Sequence, residues 1–333
     1  MTPIRNCQTA MKTTASGSRN SWNSSRVTAL LLLAGWMGSL AEGRCGTVPL
    51  EILGETKLSS VPGLNFSSTA VGLAGDTLLA QTNVYGRDGT SWTRNDTLTV
   101  NDPETSSPSI LAGALDASRQ TIVLGAGNGG GGTGAAYVFN RDVNGWNAGG
   151  ILGPATTVAG ERFGLAVVVE GDLIVVGAPH PFMATPDGPG SAYVFQRQGA
   201  NWVQIRRLVA ADGAAGDKFG TQVAISGDRI VVGAPDDSNA VGSGAGAVYV
   251  FERDMGGAGN WGQSAKLIPP NSTGAFFPNA GRSLAIAGDT IAIGSNVAGF
   301  IYRRQPMEPG NWRETRSSRR APVPSRWKRL PWP

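Results

Sequence analysis

The chain repeats one unit five times, and that repetition limits its fold more than any other feature. Aligning the apolar runs gives TLLAQTN at residues 77–83, TIVLGAG at 121–127, LIVVGAP at 173–179, RIVVGAP at 229–235 and TIAIGSN at 290–296. Successive runs begin 44, 52, 56 and 61 residues apart. Each is followed by an aromatic-rich segment, an arginine and a tryptophan. Arg87, Arg141, Arg197, Arg253 and Arg304 thus recur in register, as do Trp92, Trp146, Trp202, Trp261 and Trp312. Such a period marks a supersecondary unit that buries its apolar faces against its neighbours. Within a unit, a short apolar segment meets Gly75-Asp76, Gly171-Asp172, Gly227-Asp228 or Gly288-Asp289 and then the long apolar run. That is the pattern of a tight hairpin. The near-continuous apolar run suits a strand covered on both faces, the aromatic segment forms a third strand, and the tryptophan opens a fourth. The chain is therefore expected to be all-β: a β-propeller of about five four-stranded antiparallel blades, either complete at five or truncated.

Two units carry a closer signature. Phe163-Gly164 precedes Gly177-Ala178-Pro179, and Asp217-Lys218-Phe219-Gly220 precedes Gly233-Ala234-Pro235. These residues resemble the FG-GAP repeat known from the integrin alpha-subunit propeller and from exported bacterial proteins. The likeness is full in the third and fourth units. It is partial in the first (Phe66-Ser67, Gln81-Thr82-Asn83), the second and the fifth (Gly294-Ser295-Asn296), and it spans roughly residues 60–312. It implies the propeller fold but no single function, since one scaffold serves many roles. Integrin-type repeats also hold calcium in a D-x-D-x-D-G loop, because a hard cation needs several converging oxygens. Here that position holds only Gly-Asp, or Asp116 to Gln120 with one carboxylate, so neither calcium nor any other metal or cofactor is expected. The second unit also matches the dinucleotide pattern GxGxxG at Gly125, Gly127 and Gly130. That pattern needs a helix to follow it, and AAYVFNRD reads as a strand.

The ends differ from the body. Arg5, Lys12, Arg19 and Arg26 precede the apolar run Val27–Leu40, with Ser39 and Ala41 at a cleavage site. Residues 1–41 therefore read as a signal peptide, and the mature chain as secreted or held in the cell envelope with no transmembrane span. Cys45 is then its only cysteine, too few for an internal disulfide. Residues 313–333 hold seven basic residues, one acidic residue and a late group of prolines. They read as a disordered basic tail behind a propeller at 45–312. Between the ends stand 16 basic and 22 acidic residues, which speaks against nucleic acid as a partner.

Alternating strands place the loops after Gly-Ala-Pro and those before Phe-Gly on one face, and these are the longer and more varied. Loops on a rigid scaffold are where binding residues concentrate. Phe182, Asp187, Asp212, Asp236, Asp237 and Phe277 are therefore the candidate ligand contacts, and the repeated Arg and Trp residues are read as packing. No catalytic set stands out: His180 is the only histidine, and an exposed loop role is expected for it. The sequence thus points to an exported, non-enzymatic binding or adhesion module, monomeric, that takes a protein or glycan through one loop face. The alternatives are an exported hydrolase of carbohydrate or phosphoester on the same scaffold, and a truncated, inert product of a longer gene.

Overall fold

A computed structural model describes residues 71–319, except 90, 104–109, 117, 119, 128–132, 157–159, 181–187, 271–278, 297 and 305–311. Phe182, Asp187 and Phe277, the proposed signal peptide, Cys45 and residues 320–333 lie outside the described set. Among the described residues, twenty strands form five sheets, each a four-stranded antiparallel meander of consecutive strands. Blade 1 comprises β1 (Val71–Ala74), β2 (Thr77–Ala80), β3 (Asn83–Asp88) and β4 (Ser91–Thr97). Blade 2 comprises β5 (Ala112–Leu115), β6 (Thr121–Ala126), β7 (Ala135–Asp142) and β8 (Gly145–Leu152). Blade 3 holds β9 (Ala166–Glu170), β10 (Leu173–Ala178), β11 (Ser191–Gln198) and β12 (Asn201–Leu208). Blade 4 holds β13 (Gln222–Ser226), β14 (Arg229–Ala234), β15 (Ala247–Arg253) and β16 (Trp261–Leu267). Blade 5 holds β17 (Ser283–Ala287), β18 (Thr290–Gly294), β19 (Ala298–Arg304) and β20 (Trp312–Arg319). Among the described residues no helix is long and apolar enough to cross a membrane.

One boundary moves. The fifth blade does not stop at Trp312, because β20 pairs with Ala298–Arg304 along its whole length. The prolines that would interrupt a ladder begin only at Pro322, so residues 313–319 belong to the blade and not to a disordered tail.

The apolar runs are buried on both faces because each blade is sandwiched. In β10, Ile174 and Val176 join Tyr193 and Phe195 against Val123 and Val138 of blade 2, while Val175 joins Val194 against Ile230, Val232, Tyr249 and Phe251 of blade 4. The interfaces between blades 2 and 3 and between blades 3 and 4 thus set the valine face of one blade on the aromatic face of the next. Among the described residues, blade 5 is packed against blade 4, where Ile291 and Ile293 are buried; Ala292 and Ile301, on the other face, are partly exposed. Among the described residues, substantial strand packing joins consecutive blades, and none joins blade 5 to blade 1.

The Phe-Gly and Gly-Ala-Pro segments splice neighbouring blades. Phe219 lies edge-on to Tyr249 and Phe251, with ring centroids 5.4 and 6.0 Å away, and Phe163 meets Tyr193 and Phe195 at the same distances. The Phe219 N–H donates across to the Pro189 carbonyl of blade 3 at 2.8 Å, while the Gly220 and Gly164 N–H groups donate within their own blades to the Gly233 and Gly177 carbonyls at 3.0 Å. Gly220 has φ +98°, which a side chain tolerates poorly. Its carbonyl oxygen lies so close over Gly177 that a methyl group there would overlap it. The two glycines therefore fix the approach of blade 3 to blade 4.

The repeated arginines and tryptophans occupy the opposite end. Each arginine pairs across the hairpin with its tryptophan, as Arg197 with Trp202 and Arg253 with Trp261. The guanidinium lies over the indole at 4.5 Å in blade 3 and 5.1 Å in blade 4. The backbone N–H of each arginine donates to the last turn residue of its own blade, at 2.9–3.0 Å in all five. Their recurrence is explained by this turn and packing role.

Candidate functional site

Of the candidate contacts, the structure brings Asp212 and Asp237 together, places Asp236 beside them and sets a lysine against each of the three. Asp237 follows the Gly-Ala-Pro strand of blade 4 and is buried. Its Oδ2 accepts from the Tyr249 hydroxyl at 2.7 Å and from Lys266 Nζ at 2.9 Å, and its Oδ1 accepts from Asn239 Nδ2 at 2.9 Å. Asp212 comes from the segment leading into blade 4. Its Oδ1 lies 2.9 Å from the same hydroxyl, whose one proton the two carboxylates share, and its Oδ2 accepts from the same ammonium at 2.7 Å. Lys266 thus bridges two carboxylates, and the loop after Gly-Ala-Pro is tied to the preceding lead-in and to the outermost strand. Asp236 forms an ion pair with Lys218 and accepts from Asn279 Nδ2 at 2.9 Å, which links it to the lead-in of blade 5.

Blade 3 repeats the arrangement with different residues. Glu161, buried two positions before Phe163, accepts from the Tyr193 hydroxyl at 2.6 Å and from Arg207 Nη2 at 2.9 Å. Arg207 stands opposite Tyr193 in the strand ladder just as Lys266 stands opposite Tyr249. Both locks therefore comprise a carboxylate, a tyrosine on the third strand and a base on the fourth. Blade 5 has Phe300 in the tyrosine's register, so it lacks the hydroxyl that would complete such a lock.

Electrostatics agree with a framework role. Burial, and then the Glu161 carboxylate, push the Tyr193 hydroxyl far above its ordinary pKa; burial and Asp237 do the same to Tyr249. Both phenols stay protonated and act as donors. The hydrogen bond from Lys266, above all, holds Asp212 below the usual carboxylate range. Burial alone would lower Lys266, but its bonds to Asp212 and Asp237 outweigh that and raise it. Asp217, which accepts from the Ala214 N–H at 2.8 Å, is raised above the usual carboxylate range by desolvation. Among the described residues, no group of three or more His, Cys, Asp or Glu side chains is placed to hold a metal ion.

His180 corrects the sequence reading: it is buried, not exposed. It adopts φ +48°, which turns its ring in against Gly188, and its N–H donates to the Glu161 carbonyl at 3.2 Å. Sequence reasoning also missed Glu161, Tyr193, Arg207, Tyr249 and Lys266. Part of the signal was present in the repeat, since Arg207-Leu208 matches Lys266-Leu267; Asp217, which stands where Glu161 does before the phenylalanine, is not the carboxylate that blade 4 uses.

Blades of this kind, spliced in sequence order, define a β-propeller scaffold. The family model described as FG-GAP repeat matches residues 146–195 and 202–251, so the chain carries FG-GAP repeats. Among solved structures the chain is similar to the periplasmic gluconolactonase of Pseudomonas aeruginosa, at 16% identity and a TM-score of 0.48. The match covers 73% of this chain and 65% of that one, so the chain spans less than two thirds of that protein's length. No curated protein matches the sequence.

Proposed function

We propose that this protein is an exported, non-enzymatic binding module that takes a protein or glycan ligand through the loop face of its blades. The observation that supports this most is the locking of that face. Asp212, Asp236, Asp237 and Glu161 are each held by a cation, so they are spent on fixing loop positions and are poor acids or bases for hydrolysis. Glycosidases of the usual type need two carboxylates facing one substrate bond. Here the two that converge, Asp212 and Asp237, close on Lys266 instead. What the locks hold up is a set of loops such as Ser238–Gly244, with Val241 partly exposed at its tip. Export rests on the basic-then-apolar N-terminus, and the module acts without a cofactor. The full chain should be tested on arrays of glycans and immobilised envelope proteins, beside a variant with residues 238–244 replaced by a Gly/Ser linker. Selective retention of the wild type that the variant lacks supports the proposal. Equal retention of both, or turnover of a retained glycan, counts against it.

A further inference from the structure

The face of blade 5 turned away from blade 4 departs from its counterparts on the earlier blades. The ladders set Ala285, Ala292 and Ile301 in one row across it and Thr290, Arg303 and Arg313 in the next. In blade 4 the matching positions include Val231 and Val250 in the first row and Glu252 in the second. Blade 5 therefore has a shallower apolar floor and a reversed charge beside it. Arg303 and Arg313 stand directly opposite each other on neighbouring strands, where Cα atoms lie about 4.5–5.5 Å apart and like charges destabilise the pair. Both are exposed, and among the described residues neither has an ion-pair partner.

The position of Arg303 has a defined use elsewhere in the repeat. Asn140 in blade 2 and Glu252 in blade 4 occupy it, and each accepts from the repeated arginine of the following blade. Asn140 Oδ1 takes Arg197 Nη2 at 3.4 Å, and Glu252 Oε2 takes Arg304 Nη2 at 3.3 Å. An acceptor on one blade thus receives the guanidinium of the next. Arg303 inverts that rule. A following blade of this repeat would bring an arginine against it, as Arg87 of blade 1 would, from this chain or from a second copy. The face is therefore built against extending the stack. What suits it is a carboxylate: guanidinium groups on adjacent strands can hold one between them in paired hydrogen bonds, which also removes their repulsion. The floor beside them is aliphatic and offers no aromatic ring for a base to stack on. The body of the chain, with 22 acidic against 16 basic residues, repels a long polyanion. A short protein segment in which carboxylates flank small apolar side chains satisfies both the arginines and the floor.

We infer that this face of blade 5 docks an acidic segment of a partner protein, with carboxylates on Arg303 and Arg313 and small apolar side chains over Ala292 and Ile301. The surface is independent of the loop-face reading, since the two arginines lie toward the other end of the blades. Its test is fluorescence anisotropy of a labelled acetyl-EAEVEA-amide peptide with the full chain, beside the same peptide with glutamine or lysine in place of glutamate and beside oligothymidylate. The acidic peptide should bind at least tenfold more tightly than the glutamine peptide or the oligonucleotide, and more weakly as salt is raised. Arg303→Gln and Arg313→Gln, both exposed changes, should each weaken it at least threefold. Arg303→Glu, which installs the blade 4 residue, combined with Arg313→Glu should abolish it and transfer binding to the lysine peptide, a gain that misfolding cannot produce. Equal binding of the acidic and glutamine peptides, no binding of either, or binding that survives the charge reversal would overturn the inference. Tighter binding of oligothymidylate would give the face to nucleic acid, and self-association of the wild type that Arg303→Glu disrupts would give it to a second copy. Binding that appears only after Glu51→Gln and Glu55→Gln would give it to the chain's own segment, and loss of binding on replacing residues 238–244 would place the peptide at the loop face; each of these counts against the inference.

Discussion

Replacing Lys266 by methionine isolates the lock of blade 4. Methionine keeps the length of the aliphatic stem but removes the charge that lies 2.9 Å from Asp237 and 2.7 Å from Asp212. The two carboxylates differ: Asp237 has a side-chain exposure of 2%, Asp212 one of 55%. Leaving a buried partner uncompensated costs about 3–5 kcal/mol, whereas an exposed pair contributes below ~1 kcal/mol. Asp237 would keep the Tyr249 and Asn239 donors, so the low end, about 3 kcal/mol, is expected. That corresponds to a fall in melting temperature of roughly 6–12 °C for a domain of this size. The Gly246 N–H, which donates to the Asp237 carbonyl at 2.9 Å, should exchange faster with solvent. Adding Asp237→Asn removes the stranded charge and should restore most of the loss, because the two sites are coupled. Thermal denaturation of wild type, both single variants and the double variant measures this. A loss below about 1 kcal/mol for Lys266→Met, or a double variant no more stable than that single, would refute the reasoning.

Three further outcomes follow from the same contacts. Asp212 is held below the ordinary carboxylate range, so its contribution to stability is present above about pH 4 and lost as pH falls through its lowered native value; acid titration of stability should show that loss in wild type and a shallower one in Lys266→Met. Gly177→Ala should destabilise by more than about 3 kcal/mol, since the added methyl meets the Gly220 backbone and not a movable side chain; a cost below 1 kcal/mol in urea denaturation would show that the splice can slide. Phe219→Ala should cost about 3–5 kcal/mol, because the ring is wholly buried between Tyr249 and Phe251; a smaller loss in the same assay would mean that the neighbouring rings collapse into its place.

The blades were legible because each unit repeats its chemistry at fixed positions. The Gly-Asp turn, the run IVVGA and the pair Arg197/Trp202 announce three strand boundaries at once. The end of blade 5 was not: β20 shares its opening tryptophan with the other fourth strands but lacks the base-leucine pair of Arg207-Leu208 and Lys266-Leu267, so it reads as tail from its arginines. On the loop face the acidic residues stood out as candidates, but their partners did not. Lys266 lies 54 residues from Asp212 and 29 from Asp237, and only the strand ladder sets it opposite Tyr249. His180 misled for a related reason, because flanking prolines suggest an exposed loop while a positive φ turns the ring inward.

The central claim, that the locked face presents its loops to a ligand, is tested most directly by calorimetric titration of the array-selected ligand into the full chain and into the variant with residues 238–244 replaced. The account predicts at least a tenfold rise in Kd for the variant, with its melting temperature lowered only by the loss of the Asn239 donor to Asp237 and its circular dichroism spectrum unchanged. An unchanged Kd, or heat from steady turnover in place of saturable binding, would contradict it.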